Sequence, residues 1–262
     1  LFLAWRSLLK YNRKKVMTIR TRNIYDTSND KPYKLSRSKV DKFIICKRCF
    51  YIDRRLGVSE PPGFPFNINS AVDELLKKEF DTFRKKAEPH PYMSATGRNL
   101  IPFKHELLDE WRENFKGVQH HHKETNFILT GAVDDLWFDL DTEEVIVVDY
   151  KSTSKNSEVT IDEDWQDGYR RQMDFYQWLL RKNGFKVSNS GYFVYCNGDK
   201  SKRKFSNKIT FKVSVLEYVG NDEWVEDTII KIKQTLDSDV IPNVNNDCKM
   251  CSFITSYEEV TE

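Results

Sequence analysis

Asp134 follows Gly131-Ala-Val, and Asp149-Tyr150-Lys151 closes the apolar run Val145-Ile-Val-Val. Side chains alternate along a strand, so Asp149 and Lys151 share one face. Antiparallel pairing across a short turn brings Asp134 beside them. Two carboxylates converging on one point suit a hard divalent cation, Mg2+ or Mn2+. Such an ion polarises a phosphoryl oxygen and lowers the pKa of a bound water. A neighbouring lysine orients that water or stabilises charge on a transferring phosphoryl group. Taken alone, the motif also fits a buried strand that ends on Asp149 with Lys151 in solvent. Downstream, Gln172 and Tyr176 stand four apart on one helix face, and Tyr169 continues their stripe.

The cysteines form a second constellation. Cys46 and Cys49 make one CxxC, Cys248 and Cys251 another, with 198 residues between the pairs. In a chain expected to be cytoplasmic, paired CxxC motifs read as a metal site before disulfides. Four thiolates match tetrahedral Zn2+ or a [4Fe–4S] cluster. The separation means that a shared site would staple the two ends of one domain together. Cys196 lies in an apolar run and reads as a core thiol. His120-His-His122 reads as a solvated loop, because three consecutive imidazoles do not easily face one ion.

The elements that must carry these residues follow from pattern and punctuation. Ser36 or Ser38 caps a helix through about Leu56 that holds the first CxxC. Glu60-Pro-Pro-Gly-Phe-Pro breaks it. Residues 69–86 form an amphipathic helix with Val72, Leu75, Leu76 and Phe80 as its apolar face. His105–Phe115 is a short helix. Phe127–Phe138 is a strand carrying Asp134, and Val145–Lys151 is a strand covered on both faces. A helix spans 162–183 and ends at Asn183-Gly184. Strands follow over Tyr192–Cys196 and Lys208–Leu216, then a helix over Asp222–Leu236. Between those strands lies the basic run Lys200-Ser-Lys-Arg-Lys204, a charged hairpin tip or a phosphate contact. The order predicts a mixed α/β domain.

In order and spacing, Gly131-x-x-Asp134, Asp149-x-Lys151 and Gln172-x-x-x-Tyr176, bracketed by cysteines, resemble the PD-(D/E)XK nuclease superfamily. Within it they are similar to the RecB/AddB-like and CRISPR-associated iron–sulfur exonuclease branch, over about Leu35 to Phe253. The resemblance implies a restriction-endonuclease-like core, a central mixed sheet flanked by helices. Its N- and C-terminal segments would be tied by a four-Cys metal site. It implies cutting of DNA with Mg2+ or Mn2+, with Asp134, Asp149 and the Tyr150 carbonyl as metal ligands and Lys151 as the catalytic lysine. Gln172 and Tyr176 would sit beside the site. Two departures stand out. Asp73 occupies the position of the usual His ligand, where it is either a further ligand or a favourable charge in the first turn of a helix. The cysteines divide two and two, where one and three are usual. Cys46, Cys49, Cys248 and Cys251 would hold [4Fe–4S], with structural Zn2+ as the alternative.

Composition bounds the rest. The 262 residues, with 13% aromatic and 31% charged, describe a polar globular chain large enough for a substantial core. No apolar run reaches the roughly 20 residues of a bilayer span. Residues 1–50 carry 14 Lys/Arg against 3 Asp/Glu, inside a chain of net +2. That segment is a solvated arm or meets an anionic partner. Residues 1–34 are read as a basic extension, with 1–16 as non-native because Met17 is a plausible start, and 35–262 as one nuclease domain. The expected location is cytoplasmic. The expected partners are single- or double-stranded DNA and a helicase or DNA-processing complex, in repair, recombination or foreign-DNA processing. No GxxxxGK[ST] motif supplies a motor. A catalytically inactive nucleic-acid-binding module of the same fold is the competing reading, and a zinc-stapled enzyme of another activity a third.

Overall fold

The computed structural model describes residues 19–61, 63 and 66–261. The readings of residues 1–16 and of Met17 lie outside the described residues. The chain enters through β1 (Tyr33–Ser36) and two helices, α1 (Arg37–Ile45) and α2 (Lys47–Arg54). Then come the long α3 (Asn67–Lys86), β2 (Leu100–Pro102) and a single turn α4 (Leu108–Trp111). Three strands follow, β3 (Val118–His122), β4 (Phe127–Gly131) and β5 (Asp135–Asp139), and then β6 (Glu144–Thr153). Helix α5 (Asp167–Lys182), β7 (Ser190–Gly198), β8 (Phe211–Val219), α6 (Trp224–Asp237) and α7 (Lys249–Thr261) complete it.

Two mixed sheets result. The larger has the order β2-β5-β6-β7-β8, and the smaller β1-β4-β3. Strand β6 pairs antiparallel with β5 and parallel with β7. The parallel step needs a crossover, and α5 provides it. Strand β6 is apolar on both sides for a visible reason. Val145 and Val147 enter the core beneath α1, α5 and α6. Ile146, Val148 and Tyr150 enter a second core with Leu76 and Phe80 of α3. Asp149 and Lys151 therefore extend the α5-facing row, and Tyr150 the α3-facing one. The mixed α/β architecture with flanking helices is the one expected, and the four cysteines join the N- and C-terminal segments.

Several element expectations are corrected. The helix over 36–56 is two helices, broken at Cys46, whose backbone is extended (φ −158°, ψ 107°). The strand over 127–138 is two strands in different sheets, so Asp134 stands at the bend between them. The His120–His122 loop is strand β3, paired antiparallel with β4. Its imidazoles diverge: His120 packs edge-on to Trp178, His121 bonds Asn126, and His122 is buried between Thr125 and Glu226. The helix over 105–115 shrinks to four residues. Leu75 is exposed, not on the packed face of α3. Strand β8 begins three residues later than expected, which lengthens the basic loop before it.

Candidate active site

Four elements deliver the candidate residues. Asp149 is fully buried in β6, and its Oδ1 accepts a hydrogen bond of 2.8 Å from Gln172 Nε2 on α5. The same amide donates to the Tyr176 hydroxyl at 3.2 Å. Residues four apart on α5 thus brace one carboxylate oxygen. Tyr176 needs space to do so. A Cβ at Gly131 would come within 2.5 Å of its ring carbon Cε1, so only glycine fits there. Asp134 arrives at the chain's crossing between sheets, and the Tyr150 N–H donates to its Oδ2 at 2.9 Å. Lys151 pairs with Asp149 Oδ2 and lies 4.6 Å above the Tyr169 ring.

Asp73 comes from α3, on the opposite face of the sheet. It joins the group through Lys77, whose Nζ is 2.8 Å from Asp73 Oδ2 and 3.9 Å from Asp134 Oδ1. Lys77 was not read from the sequence. Its signal was the i,i+4 spacing from a candidate ligand on a helix. Behind the site, Asp135 is fully buried and accepts from Arg84, Arg112 and the Tyr150 hydroxyl. This network, also missed, fixes both neighbours of the paired motif: residue 135 beside 134, and residue 150 beside 149 and 151. Its only trace in the sequence was the Asp-Asp doublet, of which one member had to face inward.

The electrostatics are those of a carboxylate cluster short of countercharge. Burial pushes the Asp149 carboxyl up to about 7; Lys151 opposes this and Asp134 adds to it. Burial and then Asp134 raise Asp73 as well. Burial works against the Lys151 ammonium, but Asp149 and Asp134 outweigh it and hold its pKa above the ordinary value. Burial also lifts Tyr176 to about 12, so it remains a phenol that can donate. Asp149 Oδ2 and Asp73 Oδ1 are buried without a properly directed hydrogen bond from the described residues. Hard carboxylate oxygens, one met only by a lysine ammonium and one by nothing, are the donors a divalent Mg2+ or Mn2+ takes. The four thiols lie within 4.8 Å of one another, and the three carboxylates form no such group among the described residues. Lys77 and Lys151 stand among them instead.

The thiol site is compact. Sγ atoms lie 3.6 Å apart for Cys46–Cys251 and 3.7 Å for both Cys49–Cys248 and Cys49–Cys251. Cys46 caps α2, where its sulfur accepts the Cys49 N–H at 3.4 Å, and α7 begins between Cys248 and Cys251. Cys46, Cys248 and Cys251 are buried and Cys49 partly so. Cys196 is separate and buried against α3, as expected of a core thiol. Four sulfurs on one tetrahedral ion at about 2.3 Å would stand about 3.8 Å apart. A cubane places each thiolate on a different iron and spreads them further.

A family model of the PD-(D/E)XK nuclease superfamily matches residues 34–256, and the chain belongs to that superfamily. Its members are hydrolases acting on nucleic acid, which is the class that the carboxylate–lysine arrangement fits. No curated protein sequence matches the chain. Among solved structures, the crystal structure of SSO0001 is similar at 11% identity and a TM-score of 0.35, covering 85% of this chain and 84% of that chain. A likeness that distant carries no argument about the site. Among the described residues no helix is long and apolar enough to cross a membrane.

Proposed function

We propose that this protein is a Mg2+- or Mn2+-dependent deoxyribonuclease of the RecB/AddB-like branch, acting as an exonuclease in DNA repair, recombination or foreign-DNA processing. The observation that carries the reading is the buried Asp149 Oδ2, held only by the ion pair with the half-buried, protonated Lys151, together with the unpartnered Asp73 Oδ1. Asp134, Asp149 and the Tyr150 carbonyl would hold the cation, with Asp73 in place of the usual His. The bound ion supplies Lewis acidity to a phosphoryl oxygen and acidity to a water. Gln172, itself held by Tyr176, keeps Asp149 turned toward its neighbours. Lys151 stays cationic while Asp149 is ionised, so it serves as a donor that orients water and steadies charge on the phosphoryl oxygens. With a cation held by Asp73 and Asp134, Lys77 beside them would be free to meet a phosphate.

The thiols would hold a structural metal centre. The resemblance implies [4Fe–4S], while sulfur spacings of 3.6–3.7 Å favour one tetrahedral Zn2+. Visible absorption and metal analysis of anaerobically purified protein decide between them: a brown protein with iron, or a colourless one with one zinc. A helicase or DNA-processing complex is the partner class this activity fits.

Cleavage of labelled DNA in Mg2+ and Mn2+ tests the assignment. Asp149→Ala and Lys151→Ala should each lower the rate by roughly 10²-fold or more with the fold intact. Cleavage at the parental rate by either variant would refute that residue's catalytic role. Salt-sensitive DNA binding without turnover in any divalent metal would establish the inactive binding module instead.

A further inference from the structure

A groove of about 620 Å³ adjoins the candidate site through Ser152 and Asn69. Its floor includes Ser152, the residue after Lys151. One wall is the start of α3, where Asn69 stands one turn before Asp73 and donates to the Ser152 carbonyl at 3.3 Å. The other wall is the loop between β7 and β8. Residues 199–210 hold five Lys/Arg and one acid, Asp199. Asp199 is taken by Lys202. Lys204 and Lys208 have no carboxylate partner among the described residues, and both line the groove. Phe66 on the α3 side and Phe205 on the loop side are 76% and 70% exposed. Two exposed aromatic rings lining one cationic groove suit an occupant with both negative charge and flat apolar faces. The Ser152 hydroxyl, buried and unpartnered, adds a polar anchor on the floor.

We infer that this groove is a single-strand track: Lys204 and Lys208 meet the phosphates of a nucleic-acid strand whose unstacked bases lie on Phe66 and Phe205, and the strand continues past Ser152 into the carboxylate site. A duplex presents no free base faces to such rings, whereas a single strand offers one at every nucleotide. The inference deepens the nuclease reading and rests on it only for where the strand leads. The track would make single-stranded DNA, or a frayed end, the preferred substrate.

The test is binding of a fluorescent 20-nucleotide oligothymidylate in EDTA, where no cleavage interferes, beside a duplex of equal length. The parent should bind the single strand more tightly than the duplex. Phe66→Ala and Phe205→Ala should each weaken single-strand binding by roughly fivefold to a hundredfold, and Phe205→Trp should retain it. Lys204→Ala with Lys208→Ala should lower the slope of log K against log salt by about 0.7 per lysine. All four side chains lie at the surface, and unchanged melting temperatures would show the variants folded. Hydrolysis of bis(4-nitrophenyl) phosphate in Mn2+, a diester too small to span the groove, reports on the centre alone and should be unchanged. Parental binding by both Phe→Ala variants, or equal affinity for the duplex, overturns the track. No hydrolysis of any substrate by the parent, together with the expected binding losses, overturns the nuclease reading and leaves the track standing.

Discussion

Asp149 has two partners on its two oxygens, an amide that positions it and an ammonium that pairs with it. Its carboxyl, pushed up to about 7 chiefly by burial, is stabilised by the fold in its protonated form. The sign follows from linkage. The stabilising contribution is complete below the ordinary Asp value of about 4 and is lost as pH rises through about 7. Metal-free protein should therefore lose melting temperature between pH 5 and 8, more steeply than Asp149→Asn does. Saturating Mg2+ should flatten the slope, because the cation holds the ionised form. Calorimetric scans with and without EDTA check this, and an equal slope in Asp149→Asn would assign the pH dependence to another group. The chemistry at this scale was legible in the sequence because period two puts residues 149 and 151 on one face. Lys77 was not legible, because its importance depends on α3 crossing the sheet beside Asp134, and no local pattern encodes a contact between residues 57 apart.

At the scale of elements, the bend between β4 and β5 sets the position of Asp134, and the close approach of α5 sets the bend. Gly131 lies against Tyr176 and Leu179 of that helix. A methyl there would meet Tyr176 Cε1 at 2.5 Å and Leu179 Cδ1 at 3.3 Å, so Gly131→Ala should cost about 1–3 kcal/mol by overpacking. It should also lower cleavage, since Tyr176 supports Gln172. Urea unfolding and a rate measurement on the same preparation separate the two effects. Cleavage at the parental rate by the destabilised variant would remove Tyr176 from the positioning role. Behind the same strands, Asp135 answers two buried guanidiniums. Asp135→Asn should cost about 1–3 kcal/mol, because Arg84 and Arg112 lose one of the two carboxylates they share and keep Asp81, whereas Tyr150→Phe removes one hydrogen bond and should cost about 1 kcal/mol. Long periodic elements such as α3, α5 and β6 could be read directly. The split of residues 127–138 could not, because an apolar run of that length looks the same whether it stays in one sheet or crosses to another. The His run misled for a related reason. Strand β3 alternates half-buried, exposed and buried imidazoles, a pattern invisible when all three residues are alike.

Over the whole molecule, the four-thiol site closes the chain on itself. Cys46 and Cys251, 205 residues apart, meet at 3.6 Å. The closure also draws in the stretch between α6 and α7, whose Pro242 carbonyl accepts from Arg48 and whose Asn245 donates to the Ile45 carbonyl. Few apolar contacts hold α7 otherwise. Among its residues only Cys251 is buried, while Phe253, Tyr257 and Val260 are exposed. The four-thiol site is therefore the main tie on the C-terminal helix, and the paired CxxC motifs made this joining of the two ends legible without any structure. A cross-link closing a loop of this length is worth on the order of 5 kcal/mol in chain entropy. Chelation, or Cys248→Ser with Cys251→Ser, should release α7 first and lower the global melting temperature. Residues 249–261 should exchange their amide hydrogens quickly while β6 and α5 stay protected, because the two sheets have cores of their own that the thiol cluster does not join. Hydrogen exchange read by mass spectrometry checks the order of events. Simultaneous loss of protection in α7 and β6 would mean that the metal centre is part of the cooperative core, not a clasp added to it.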